Sequence, residues 1–217
     1  VESLYIFTAR PNDKHGFGQW SGVDMDWVKA FALGYLLGSI PFGLLLSMAA
    51  GQGDIRKIGS GNIGATNVLR TGNKGLAAAT LLLDLGKGLL PVLLAWKWFP
   101  EYVPITAFAA VIGHCFPVWL KFKGGKGVAT NAGVSFGLAW PIGLAYAVVW
   151  LAMLGLVRIS SLAGMSAVVA AAVAAALLGY MAFVPVLAGI AVLVIWLHRA
   201  NVKRLLNGSE PRIGSRK

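Results

Sequence analysis

The sequence predicts an all-α integral membrane protein, a bundle of about seven transmembrane helices with the N-terminus outside and the C-terminus cytoplasmic. Three observations lead there. Apolar residues make up 57% of the 217 positions and charged residues only 12%, with a mean hydropathy of +0.72, so the natural solvent of this chain is lipid. Apolar runs long enough to cross a bilayer recur along the chain. The cations crowd into alternate connections between those runs, as they do on the cytoplasmic side of membrane proteins.

A spanning helix needs roughly 20 mostly apolar residues. The runs 27–50, 75–98, 104–120, 160–178 and 182–198 fit, whereas the stretch 127–157 is too long for one helix. It carries Trp140-Pro141 near its middle, where proline removes a backbone donor and disfavours helix in the residue before it. Splitting it there gives two short helices and about seven spans in all. The loops then alternate sides. One side collects fourteen cations: Arg56, Lys57, Arg70, Lys74, Lys121, Lys123, Lys126, Arg158, Arg199, Lys203, Arg204, Arg212, Arg216 and Lys217. The other holds Lys29, Lys97, Glu101 and an N-terminal segment with four acids and two cations. The positive-inside rule makes the first side cytoplasmic. Trp96, Trp98, Trp119, Trp140 and Trp196 fall near span ends, as an aromatic belt requires. The small-residue run from Ala163 to Ala176 suits close helix packing.

The excess of 19 Lys and Arg over 8 Asp and Glu sits mostly in short loops between apolar runs, so it sets membrane topology and implies no nucleic-acid partner. A lone cysteine, Cys115, excludes a disulfide within the chain and a thiolate metal site. No metal and no cofactor are expected. Residues 1–26 are polar, without a basic start followed by an apolar core, and do not read as a signal peptide. They form an extension, native or foreign in origin, with Met25 as a plausible natural start. A single transmembrane domain follows at 27–210, and 211–217 is a basic tail.

Three polar clusters interrupt the apolar pattern. The first is Gly59-Ser60-Gly61-Asn62-Ile63-Gly64-Ala65-Thr66-Asn67, followed by Arg70. Its glycines let the backbone approach a ligand, and its short polar side chains can line an anion site. The second runs from Gly113-His114-Cys115-Phe116-Pro117 to Phe122-Lys123-Gly124-Gly125-Lys126-Gly127-Val128-Ala129-Thr130 and opens an apolar helix. A glycine-rich, lysine-bearing turn at a helix N-terminus suits phosphate. It is not a nucleotide P-loop, because Leu120 and Gly127 stand where that motif has glycine and Ser or Thr. The third is His198-Arg199-Ala200-Asn201-Val202-Lys203-Arg204-Leu205-Leu206-Asn207-Gly208-Ser209-Glu210. On a continuing helix, His198, Asn201 and Leu205 share a face, with Arg204 nearby. Inside the second span Asp84 and Lys87 stand three residues apart, either as a functional pair or as a mutually neutralising one, with Gly86 and Gly88 allowing a close helix contact. Taken singly, each cluster also reads as an ordinary turn or a basic stop after a membrane helix.

In this order, and on one face, the clusters resemble the bacterial acyl-phosphate:glycerol-3-phosphate acyltransferase family. GSGNIGATN at 59–67, GHCFPVWLKFKGGKGVAT at 113–130 and HRANVKRLLNGSE at 198–210 carry the likeness. It implies transfer of a fatty acyl group from acyl phosphate to glycerol 3-phosphate, giving lysophosphatidic acid in the first acylation of phospholipid synthesis. It implies a multi-pass protein of the bacterial cytoplasmic (inner) membrane, its active site facing the cytoplasm. The lipid bilayer is its setting, and the enzyme that makes acyl phosphate is a candidate partner. Ser60, His114, Lys126, His198 and Asn201 are the expected catalytic residues. Asn62, Thr66, Gly124, Gly125, Gly127 and Thr130 are expected on acyl phosphate, and Arg70, Lys126, Ser161, His198, Asn201 and Arg204 on glycerol 3-phosphate. The His-x-x-x-x-Asp pair of thioester-dependent acyltransferases is absent, since Trp119 and Lys203 stand where its Asp would be.

Overall fold

The computed structural model describes residues 25–214, so the N-terminal extension through residue 24 and residues 215–217 lie outside the described residues. The described residues are helical throughout their regular structure. Helix α1 (Asp26–Gly38) and α2 (Phe42–Ala49) form one broken apolar unit. Pro41 explains the break, because its missing N–H and ring disrupt a helix ladder. At the break the Ile40 carbonyl accepts hydrogen bonds from the Phe42 N–H at 3.1 Å and from Lys87 Nζ at 2.7 Å, so the buried lysine spends one donor on the backbone of the broken unit. The unbroken run expected at 27–50 is therefore two helices.

A short helix α3 (Ala65–Val68) leads to α4 (Lys74–Trp98), whose first turn is capped by the Asn73 side chain accepting from the Leu76 N–H at 2.9 Å. Helix α5 (Val103–Cys115) returns from the far end, and α6 (Val128–Leu138) and α7 (Trp140–Val157) follow. Ala139 between them is extended, at φ −161° and ψ 133°, and Pro141 starts α7 as the sequence predicts. Helices α8 (Ser160–Leu177) and α9 (Val184–Leu197) complete the bundle, and α10 (Arg199–Leu206) leaves α9 at a 62° bend.

The expected count of seven spans is higher than length and hydropathy alone pick out among the described residues. Five helical segments are long and apolar enough to cross a membrane, and a sixth counts if the bent α9–α10 pair is one span. The shortfall is α6, whose 11 residues cover only about 16 Å. Its start is recessed among the other helices: a methyl group at Gly127 would touch Val111, Cys115 and Val194. Its other end reaches the end of α4, where Trp96 Nε1 donates to the Gly137 carbonyl at 3.0 Å. The connection before α6 dips into the bundle, and a short helix covers the rest.

Small residues let the helices meet, as membrane bundles require. A methyl group at Gly38 would stand 2.1 Å from the Ala110 carbonyl oxygen of α5, and one at Gly133 1.9 Å from the Leu85 oxygen of α4. The interior holds Val92, Val111, Val134, Ile142, Tyr146, Val168, Leu187 and Val194. Large apolar side chains such as Leu82, Leu151 and Val192 face outward, the reverse of what water would tolerate.

Candidate active site

The loop 59–67 is held by one side chain. Asn67 is buried; its Nδ2 donates to the carbonyls of Ile55 and Asn62 at 2.8 Å each, and its Oδ1 accepts from the Ser60 N–H at 3.0 Å and the Ser60 hydroxyl at 3.3 Å. Asn62 turns the chain locally, its Oδ1 accepting from the Gly64 N–H at 2.8 Å. Gly59 sits at φ +56°, and a methyl group there would stand 2.4 Å from Asn67 Oδ1 and 2.6 Å from Arg70 Cδ, so glycine is required on both conformational and spatial grounds. Thr66 reaches across to α8, its hydroxyl 2.9 Å from that of Ser160. Upstream, hydrogen bonds from Arg56 hold the Asp54 carboxyl down at about 2, and this pair pins the turn that enters the loop.

The second cluster divides its labour. The Gly124 and Gly125 N–H groups donate to the Cys115 and His114 carbonyls at 3.0 Å, so they fasten the loop to the end of α5 and are not free for phosphate. Gly125 also lies against the His114 ring, where a methyl group would stand 2.0 Å from Nε2. His114 Nδ1 faces Asp84 Oδ1 at 3.8 Å, and Asp84 pairs with Lys87 at 2.7 Å. No hydrogen bond joins His114 to Ser60. The polar group this loop presents is Lys126, whose Nζ donates to Asn201 Oδ1. Burial, and then the Arg204 and Arg199 charges, push the Lys126 pKa below that of an ordinary lysine, against the opposing pull of Glu210.

The third cluster is organised by Glu210. Its Oε1 accepts from the Ser161 hydroxyl and from Asn201 Nδ2, and its Oε2 from Arg204 Nε, all at 2.6 Å. Burial alone would raise its pKa, but these hydrogen bonds and the Arg204 charge together hold it below the usual carboxylate value. His198 Nδ1 lies 2.7 Å from the Val194 carbonyl. That contact requires the proton on Nδ1 and leaves Nε2 as an acceptor.

These elements enclose a cavity of about 740 Å³. Of the residues expected from sequence, Ser60, Asn62, Thr66, Arg70, His114, Lys126, Gly127, Ser161, His198, Asn201 and Arg204 line it. Gly124, Gly125 and Thr130 do not: the first two back the loop, and Thr130 is buried with its carbonyl against Gly88 of α4. Four cations (Arg70, Lys126, Arg204 and Arg212) share the lining with two acids, Asp84 and Glu210. Both acids already have cationic partners, so the surplus is positive and suited to phosphate oxygens. Leu69, Leu81, Val128 and Trp150 form an apolar wall. Sequence reasoning missed Glu210, Asn67 and Ser160 as site residues. The available signal for Glu210 was one acid standing among the cations of the C-terminal segment.

Fold and cavity together give a cation-rich pocket set among helices apolar enough to cross a membrane. The chain belongs to the glycerol-3-phosphate acyltransferase family, whose model matches residues 28–208. It is 68% identical to the glycerol-3-phosphate acyltransferase of Erythrobacter litoralis over 86% of this chain and 95% of that one. It is 57% identical to that of Mesorhizobium japonicum, over 87% and 97%. Among solved structures it is similar to PlsY (YgiH), an integral membrane glycerol 3-phosphate acyltransferase, in its glycerol 3-phosphate form. There the TM-score is 0.82 at 39% identity, over 87% of this chain and 96% of that one. Its lysophosphatidic acid form gives a TM-score of 0.80 at 38% identity, over 87% and 95%.

Proposed function

We propose that the protein transfers a fatty acyl group from acyl phosphate to glycerol 3-phosphate at this cavity, forming lysophosphatidic acid and phosphate. The observation that carries the reading is the convergence of all three polar clusters on one cation-rich cavity that also has an apolar wall. Two phosphates and one acyl chain need such a combination. The donor phosphate is assigned to the 59–67 loop, with Asn62, Thr66 and Gly127, and its chain to the wall of Leu81, Val128 and Trp150. The acceptor phosphate is assigned to Arg70, Lys126 and Arg204, with Ser161 and Asn201 set by Glu210. His198 Nε2 accepts from the attacking hydroxyl.

Acyl phosphate is a mixed anhydride with a good leaving group, so no acyl-enzyme is needed. The glycerol oxygen forms a bond to the acyl carbon, the bond from that carbon to the phosphate oxygen breaks, and the hydroxyl proton leaves with the phosphate, directly or by way of His198. Positioned cations stabilise the charge that develops. The fourteen cations on one set of loops support a cytoplasmic face for the site, with α6 and α7 crossing as a short and a full helix, in the bacterial inner membrane. The membrane then also receives the product. The enzyme that makes acyl phosphate would approach this same face.

The test is phosphate release by purified protein in detergent given palmitoyl phosphate and glycerol 3-phosphate. Release that requires both substrates is expected, and release that ignores glycerol 3-phosphate would contradict the reading. Lys126→Ala should lower turnover by roughly 100-fold or more, as loss of a charge-stabilising group does, with the protein still folded. Near-normal activity would remove Lys126 from the site.

A further inference from the structure

We propose that residues 118–123, the loop between α5 and the turn that carries Lys126, are a membrane-interface anchor. Val118, Trp119 and Phe122 enter the lipid, and Lys121 and Lys123 take the phosphate of an anionic phospholipid headgroup. None of these side chains lines the cavity, and the inference stands without the acyl-phosphate reading.

Two consecutive residues of the loop, Lys121 at φ +52° and Phe122 at φ +59°, stand in the left-handed region. Glycine adopts that region freely, whereas a residue with a Cβ does so at a cost, and for a bulky one it is rare. Such conformations persist where the surroundings over-determine them. Here every N–H from Leu120 to Gly124 is bonded: Leu120 and Phe122 donate to the Pro117 carbonyl, Lys121 to that of Val118, Lys123 to that of Leu120 and Gly124 to that of Cys115, all at 3.0–3.1 Å. The strained backbone does not serve the core, because Phe122 is 59% exposed, with Trp119 at 50% and Val118 at 49%. A large apolar side chain kept at a strained position and turned outward serves something outside the fold.

The position of the loop says what that is. It ends the apolar segment Pro100–Leu120, which is long enough to cross a membrane, so its exposed side chains continue the lipid-facing surface. Leu120 packs against the group that includes Leu44, Ile55 and Ala77, and Ala77 lies in the first turn of α4, so the loop sits near the end of a spanning helix. One residue earlier, Trp119 Nε1 donates to the Ser39 carbonyl at 2.8 Å, which draws the indole toward the break between α1 and α2. Aromatic rings and lysines with long apolar stems mark the headgroup level, where one end of each side chain is apolar and the other wet. Lys121 and Lys123 are exposed, and two cations on a fixed backbone complement the negative surface of a membrane that contains anionic lipid. Gly124 follows directly and is bonded to the end of α5. The level of the headgroups thereby sets the level at which Gly124-Gly125-Lys126 turns into the cavity.

A fluorophore on Val118→Cys reads the loop directly, Cys115 being buried. The full chain carrying it is placed in vesicles of phosphatidylcholine and phosphatidylglycerol in equal parts, with one lipid or the other brominated on its chains. Both brominated lipids should quench the probe, and brominated phosphatidylglycerol should be preferred roughly fivefold or more, the preference that one lysine near an anionic surface supports. With Lys121→Gln and Lys123→Gln together, that preference should disappear while quenching persists. Phe122→Gly should weaken quenching by both lipids severalfold, and should hold or raise the thermal midpoint in detergent, since glycine relieves the positive φ. Absence of quenching by either lipid would overturn the anchor and give the exposed face to a soluble protein. Equal quenching by the two lipids before the lysines are changed would overturn the headgroup site. A Phe122→Gly chain that melts well below its parent in detergent would overturn the anchoring role of Phe122.

Discussion

Asn67 and Glu210 each hold several partners that would otherwise spread apart. Removing the Asn67 amide takes the side-chain donor from the Asn62 carbonyl and leaves the Ile55 carbonyl only the 3.3 Å bond from the Ile58 N–H, and a buried group left unpaired costs about 1–3 kcal/mol. Asn67→Leu is therefore expected to lower the thermal midpoint in detergent and to abolish acyl transfer, whereas a stable, active variant would mean that the loop is held by something else. Under the proposed assignment, Lys126 and Glu210 are expected to set the pH window. Lys126 must be charged to hold a phosphate, and its pKa lies below the ordinary 10.5. The KM for glycerol 3-phosphate should hence climb as pH rises through that lowered value; a KM that stays flat up to pH 10.5 would contradict the assignment. Glu210 has a lowered pKa, so its contribution to stability is complete above the ordinary 4.5 and is lost as pH falls through the lowered value. The motifs exposed most of these residues because glycine, asparagine and lysine patterns survive in the sequence. The grip of Asn67 was not visible there, since it depends on how the chain from Ile55 to Asn62 curls around that side chain; the grouping around Glu210 was not, since it draws in Ser161 from α8.

Helix α4 shows how far pattern alone reaches. The sequence suggested that Gly86 and Gly88 both permit a close helix contact, but only Gly88 meets a neighbour. A methyl group at Gly88 would stand 2.1 Å from the Thr130 oxygen, while one at Gly86 would meet nothing within 4 Å. Gly88→Ala should therefore unseat α6 and lower both stability and activity. Gly86→Ala should stabilise α4 by about 0.5–1 kcal/mol; comparison of the two thermal midpoints checks the pair, and equal losses would refute it. The break at Trp140-Pro141 was legible because proline acts locally. The shortness of α6 followed from the same split, but the packing of Gly127 against α5 and α9 was not legible. Hydropathy counts residues in a run and carries no information on the depth at which a helix starts.

Across the whole molecule, the apolar exterior, the small-residue interior and the one-sided polar clusters express a single arrangement, in which lipid surrounds the bundle and a charged cavity opens at one end. Charge counting anticipated that the three clusters share a face, and the cavity brings them together. Composition could not say which donor they serve, because thioester and acyl-phosphate donors both deliver an acyl chain. Product analysis with palmitoyl phosphate, palmitoyl-CoA and palmitoyl-acyl carrier protein, each offered with glycerol 3-phosphate, tests this most directly. Lysophosphatidic acid should form from palmitoyl phosphate alone, and its formation from either thioester, or from none of the three, would contradict the account.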